Sequence, residues 1–379
     1  MTRFQMTALA AALLGAACVQ AADVTVYGLI DTGLNYQHID KDDGTSATNK
    51  AQLKGSQLAP NRWGMKGTED LGNGLKVGFM LEGQFGSDDG TMTGNRLFHR
   101  AAELSLISDT YGTLTMGRMG ALRSGFGSTG IWGAKTGPFS NSAGDFIVGH
   151  KYIMPGGFKA VDNALTYKSP KMAGAQLHLQ YSSKMDANNA VQKDLREFRN
   201  ESDRLWAVGV TYGNGPLNVV AVLDGVMYSQ KVIPNRTAKP NDSLSFSLEA
   251  DYNFGVAKVY AAGMIFQDVQ AADFQGHTDL ASLKGATAYD GYSLELGADI
   301  PLMGGTAKVN AGWMEAEDSD DVADNANRLA FAAGYVYPLS KRTQVYTIAG
   351  YVRDKSNSVA NKTLHPNAME FLLGLKHSF

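Results

Sequence analysis

Segments of about ten residues in which apolar and polar side chains alternate recur along this 379-residue chain. They restrict it to architectures built from strands with one apolar and one polar face. Residues 75–85, LKVGFMLEGQF, set Leu75, Val77, Phe79, Leu81 and Phe85 against Lys76, Met80, Glu82 and Gln84. Residues 175–181, AQLHLQY, set Ala175, Leu177, Leu179 and Tyr181 against Gln176, His178 and Gln180. The last nine residues, FLLGLKHSF, repeat the pattern, with Phe371, Leu373, Leu375 and Phe379 opposite Glu370, Leu372, Gly374 and Lys376. Chain ends ordinarily fray, because untethered backbone keeps its entropy. An aromatic final residue in phase with a strand marks this terminus as structural.

The connections between these segments fall into two classes. Short, turn-like ones include 70–73, 108–110, 169–172, 213–216, 254–255, 301–305 and 338–341, rich in Gly, Asn, Asp, Ser and Pro. Long, polar ones cover about 38–59, 86–94, 120–161, 185–202, 230–242, 269–287, 317–327 and 354–366. Roughly sixteen strands result, with both chain ends on the short-turn side, which requires an even number. A β-helix or double sandwich explains the alternation but not the two connection lengths. Alternating short and long connections are the pattern of an antiparallel barrel in an outer membrane.

The first residues agree with export. Arg3, the apolar run Met6 to Val19 and the small-residue site Val19-Gln20-Ala21 form a signal peptide expected at 1–21, leaving one domain over 22–379. Cys18 is the only cysteine and falls inside it, so the mature chain has no disulfide. A lipid anchor on Cys18 is disfavoured by Gly15, where leucine is preferred, and by the strand pattern that begins almost at once. Without Arg3 the balance is 33 basic against 37 acidic residues, with no clustered positive excess for nucleic acid. No later stretch has the ~20 apolar residues of a membrane helix. For an exported chain that leaves a soluble fold or a closed barrel.

Several segments resemble the β-proteobacterial branch of the trimeric general porins. They are DVTVYGLIDTGL at the mature N-terminus, NRWGMKGTEDLGNGLK at 61–76, YGTLTMGR at 111–118, NALTYKSP at 163–170, YPLSKRT at 337–343 and the terminal GLKHSF. The resemblance implies a sixteen-stranded homotrimeric barrel among outer-membrane lipid and lipopolysaccharide, passing ions and small hydrophilic solutes by passive diffusion. It implies that the third long loop, 120–161, folds inward as the constriction. It also implies that Phe371, Leu373, Leu375 and Phe379 are read by the barrel assembly machinery.

Strand parity puts Arg62 and Lys66 on the lumen side, opposite Trp63 and Met65. The resemblance gives Arg62 and Arg100 the rungs of a basic ladder on the second and fourth strands, and Arg118 lies where the third loop begins. Thr166 stands where the family often has an arginine before tyrosine. Asp145 is the single carboxylate of that loop, against Arg123, Lys135, Lys151 and Lys159, so weak selectivity leaning to anions is expected despite the negative protein. Tyr27 and Asp31 share lumen parity without an assigned role. Glu103, by parity with Arg100, faces outward, where a charge is costly unless it meets another subunit.

Other readings carry less. Residues 125–130 fit G-x-G-x-x-G but lack the strand and helix that make it a nucleotide site. The seven histidines show no zinc spacing, and no cofactor or metal is expected. The acidic runs 40–43 and 315–321 lack the spacing of a defined calcium loop. An outer-membrane hydrolase would need a hydroxyl beside a base, and His178 is the one histidine clearly within a strand pattern. A ligand-specific channel or a loop-driven adhesin is the alternative function.

Overall fold

The computed structural model describes residues 23–379 except 134–135, 141–142, 150–152, 157–158, 188–195, 200, 230–240, 271–287, 320–324 and 360–361. The signal segment 1–21 and Lys135, Lys151 and Tyr152 therefore lie outside the described residues. Eighteen strand segments follow one another in a single antiparallel sheet. They are β1 (Asp23–Asp40), β2 (Thr48–Gly55), β3 (Arg62–Gly72), β4 (Leu75–Gln84), β5 (Ala101–Ser108), β6 (Gly112–Gly120), β7 (Ala160–Lys168), β8 (Ala175–Ser182) and β9 (Arg204–Asn214). The rest are β10 (Leu217–Met227), β11 (Ser243–Asn253), β12 (Lys258–Gln270), β13 (Ala288–Leu302), β14 (Gly305–Asp318), β15 (Asn325–Pro338), β16 (Thr343–Val359), β17 (Lys362–Leu364) and β18 (Asn367–Ser378).

These segments fill sixteen positions in a closed wall. β2 and β3 pair with successive halves of β1, and β17 and β18 both pair with β16, so each couple continues one strand across a break. β18 pairs with β1 from Leu29↔Ser378 to Asp40↔Asn367, which closes the barrel. The expected sixteen-stranded antiparallel barrel is the fold observed.

Closure extends to the last residue. Gly28 N donates to Phe379 O and Phe379 N to Gly28 O, both at 3.1 Å. The Phe379 ring occupies the space that a Cβ on residue 28 would need, so glycine is required there. Phe371, Leu373, Leu375 and Phe379 share the exposed outer face with Val26, Leu34, Leu294 and Leu296, while Asp31, Asn35, Gln37 and Glu370 are buried on the inner one.

Short turns follow local chemistry. Asn73 (φ 54°) and Gly74 (φ 73°) join β3 to β4 by a two-residue turn with both φ values positive, as the twist of a hairpin demands. The long connections differ from expectation. β1 reaches Asp40 and β2 occupies 48–55 inside the stretch read as loop 38–59; β16 and β17 likewise enter 354–366. These strand ends are mostly polar, and in β2 only Ala51 and Leu53 alternate with polar neighbours, too short a run to be read as a strand. For the same reason Glu315 and Glu317, taken as part of an acidic loop, lie on the exposed face of β14. His38 and His377 also prove to be strand residues, in addition to His178. The second long connection runs from 85 to 100, longer than the alternation suggested.

The outer face predicts a depth-dependent response to charge. Leu294→Lys, midway along β13, should lower stability in lipid vesicles by about 2–4 kcal/mol, and Tyr337→Lys near the short-turn rim by about 0–1 kcal/mol, measured by equilibrium denaturation.

Candidate functional site

The inner faces of β1, β3 and β4, with Arg100 just before β5, border a cavity of about 380 Å³ lined by Tyr27, Arg62, Lys66, Glu82 and Arg100. The antiparallel register sets Gly64 opposite Glu82, which brings that carboxylate under both arginines. Arg100 Nε donates to Glu82 Oε1 at 2.5 Å, Arg62 Nε lies 3.8 Å from Glu82 Oε2, and Tyr27 OH donates to the same oxygen at 2.9 Å. Lys66 Nζ sits 5.4 Å from the centre of the Tyr27 ring. Three fixed cations around one carboxylate leave the cavity wall net positive.

Arg100 precedes β5 rather than belonging to it, and its guanidinium stacks 4.1 Å from the Phe126 ring. Parity counted from Arg100 therefore fails, and the outward placement of Glu103 is corrected. Glu103 is buried on the inner face with Ala101, and its Oε1 accepts the Ser128 N–H at 2.7 Å. Ser128 belongs to the 125–130 stretch that mimicked a nucleotide loop; here it is a turn fixed to the wall.

The other expected pore residues lie elsewhere. Arg118 donates to Asp162 Oδ1 (2.6 Å) and to the His99 carbonyl (2.8 Å). Arg96 grips the same Asp162 through two bonds, 3.1 and 2.9 Å, and reaches Asp186. Burial, then the charges of Arg118, Arg100 and Arg96, hold the His99 imidazole below its ordinary range. Thr166 accepts from Gln180 Nε2 at 2.8 Å, and Gln180 also bonds Gly120 O and Leu122 N. Asp145 pairs with Lys54 and accepts from Gln37 Nε2, on the β1–β2 side of the barrel. Of the six residues, Arg62, Lys66 and Arg100 come together; Arg118, Thr166 and Asp145 do not join them.

The segment 121–159 is fastened to the wall at several points. Arg123 makes a two-pronged pair with Asp224 on β10 (2.6 and 3.1 Å), both side chains buried, so it is no free lumen charge. Farther along, Asp145 N and Phe146 N donate to Glu370 Oε2 on β18 at 2.8 and 2.6 Å, and Gly144 N donates to Gln57 O. A Cβ at residue 144 (φ +52°) would meet that carboxylate. Ile147 and Ile153 fill the hollows above Gly350 and Gly312, where a Cβ would collide with them.

Sequence reading missed Glu82, Glu370, Asp224 and Lys54 as partners and gave Asp31 and Tyr27 no role. Asp31 accepts the Leu58 and Ala59 N–H groups and the Tyr346 hydroxyl, holding the break between β2 and β3. Glu82 and Glu370 were signalled locally, by their place on the polar faces of their strands, although not their partners. The others depend on pairing between residues far apart in the chain, as Arg123 with Asp224 and Asp31 with Tyr346. His178 Nε2 lies 3.1 Å from Thr211 Oγ1.

Breaking the buried Arg123–Asp224 pair strands a charge, which costs ~3–5 kcal/mol. Asp224→Ala should therefore lower the denaturation midpoint markedly. Exposed Asp186→Ala, which frees a half-exposed partner of Arg96, should shift it little.

A family described as Gram-negative porin matches residues 7–357. An outer membrane porin protein of Bordetella pertussis is 30% identical over 377 residues, covering 92% of this chain and 94% of the relative. Outer membrane porin protein 32 of Delftia acidovorans is 30% identical over 351 residues, covering 91% and 87%. Among solved structures, an anion-selective porin from Comamonas acidovorans aligns over 94% of this chain and 100% of its own, with TM-score 0.64 and 24% identity. OmpT of Vibrio cholerae in its trimer form aligns over 95% of this chain with TM-score 0.61 and 14% identity, a likeness of fold.

Proposed function

The chain belongs to the Gram-negative porin family, and on that premise we propose how this outer-membrane diffusion channel sieves and selects its solutes. Family and fold are those of channels, and passage is passive. The segment 121–159 is the constriction: it crosses the lumen between its fastenings at Asp224 and Glu370 and narrows a barrel whose sixteen strands would otherwise leave a wide aqueous channel. Arg62, Lys66 and Arg100 form the basic side of the narrow zone, with Glu82 holding them in place.

The observation that carries the selectivity is the excess of cations over carboxylates in that cavity. In a confined lumen such an excess concentrates anions at close range. Arg118 and Arg123 contribute less than expected, because Asp162 and Asp224 neutralise them. Selectivity is thus anion-leaning and weak. Asp145, paired with Lys54, serves to hold the constriction rather than to face the arginines.

The mature protein is a homotrimer, as in the trimer form of the OmpT neighbour. Residues 1–21 are removed on export, and the outer-face stripe ending in Phe379 is the feature that the barrel assembly machinery reads. Lipid and lipopolysaccharide cover the apolar belt.

Purified protein in a planar bilayer should insert with stepwise conductance that closes in threes under voltage. A salt gradient should give a small reversal potential of anionic sign, and Arg62→Glu with Lys66→Glu should turn that sign toward cations. Clear cation preference of the unmodified protein would refute the basic-cavity reading.

A further inference from the structure

On the outer face of β12 to β16, small side chains leave a groove in the apolar belt. The cross-strand neighbours Val259, Ala298, Val309, Ala333 and Ala349 form one row around the wall. In the next row toward the long connections, the larger Leu296, Phe331, Tyr351 and Met369 stand over it as a bank. The hollow they border measures about 710 Å³.

Its dimensions suit a chain of methylenes. The row crosses five strands, four spacings or about 19 Å, against the ~15 Å of hydrocarbon that is half of a bilayer core. Strands in such walls tilt by about 45°, so a row across them climbs through a leaflet instead of lying flat in it. Same-face neighbours along a strand are about 7 Å apart, so the groove is one side chain wide. A second barrel would meet it with a convex wall too broad to enter.

The outer face of β16 carries a second feature. Beyond Ala349 and Tyr351 the same face continues to Arg353 and Lys355, about 7 and 13 Å past Tyr351 toward the long connections. Both are exposed, and neither makes an ion pair or hydrogen bond among the described residues. Arg353 shares its row with Leu294, Trp313 and Leu329, which puts a guanidinium at the edge of the apolar belt. Lys355 lies beside Asn327 in the polar row above. The carboxylates of this face stand two strands away on either side. Glu315 and Glu317 are on β14, where Glu315 accepts from the Tyr292 hydroxyl at 2.7 Å, and Asp40 on β1 accepts from Asp42 N. An apolar groove thus ends near two adjacent, unpaired cations, on the long-connection side that faces outward in such barrels.

We propose that this face holds one molecule of a phosphorylated, acylated glycolipid of the outer leaflet, of the lipopolysaccharide kind. One acyl chain lies along Ala298, Ala333 and Ala349, and a phosphate sits on Arg353 and Lys355. Arginine matches phosphate oxygens with two parallel N–H groups, and lysine adds a point charge. The site is one defined place within the lipid-covered belt proposed above, and it depends on that belt facing the outer leaflet.

The test uses protein folded in lipopolysaccharide-free detergent, mixed with diphosphorylated lipid A and read by native mass spectrometry. One molecule per chain should be retained. Arg353→Ser with Lys355→Ser should weaken binding by about 25-fold, about fivefold for each cation lost beside an anionic headgroup. Ala333→Leu, which fills the groove and leaves both cations, should weaken it severalfold. Lipid A stripped of its phosphates should bind the unmodified protein no better than intact lipid A binds the double variant, and excess inorganic phosphate should not displace the lipid. No retained lipid A, or equal retention by the double variant or by Ala333→Leu, would overturn the proposal. So would a changed subunit number in Ala333→Leu, which would make the groove a contact between copies. These substitutions lie outside the lumen and should leave conductance in a phospholipid bilayer unaltered. A barrel that conducts and ignores lipid A therefore sinks this site and leaves both the belt and the channel standing.

Discussion

Everything in this molecule depends on the pairing of its last strand with its first. A sheet edge inside lipid would leave a row of N–H and C=O groups without partners, at several kcal/mol each. The register from Leu29↔Ser378 to Asp40↔Asn367, completed by the two bonds between Gly28 and Phe379, removes that edge. Once the wall is closed, the alternation of side chains is converted into geometry: one set faces lipid and the other faces an enclosed polar space. Neither the basic cavity nor the fastened segment 121–159 could exist on an open sheet.

Inside the barrel, buried ion pairs and a buried apolar cluster together hold the interior segment against the wall. Arg123 with Asp224 and Arg328 with Asp354 are two-pronged pairs with almost no exposed surface. Such pairs rarely add net stability over apolar residues, since desolvation offsets attraction. Their geometry is restrictive, however, and a long segment held by directional bonds has fewer ways to sit than one held by side-chain area alone. Ile147 and Ile153 then fill what the polar fastenings position, over glycines that leave the necessary depth.

The barrel was legible in the sequence because its two determinants are local. Period-two alternation and turn chemistry such as Asn73-Gly74 need no knowledge of distant residues. Strand ends beyond the lipid, as in β2 and β17, were not legible, since with water on both sides neither face must be apolar. The site divides in the same way. Arg62, Lys66 and Glu82 follow from parity on β3 and β4, whereas Glu103 was misplaced because the phase was carried from Arg100 across irregular backbone. The partners of Glu370 and Asp224 were invisible for a different reason: they approach from the interior of the barrel, where no strand periodicity constrains what meets what.

The two walls of the lumen differ in how far their charges are balanced. β4, with Glu82 beneath Arg62 and Arg100, is the third wall position, and β12, flanked by Glu249 and Glu295, is the eleventh, half the sixteen-position circumference away. Three cations surround Glu82 on the first side, whereas beside Glu249 on the second Lys258 and Lys308 are paired with Asp251 and Asp299. In the proposed channel selectivity is set by the local charges of the narrow zone and not by the net charge of the chain, so an acidic protein and an anion-leaning pore are compatible.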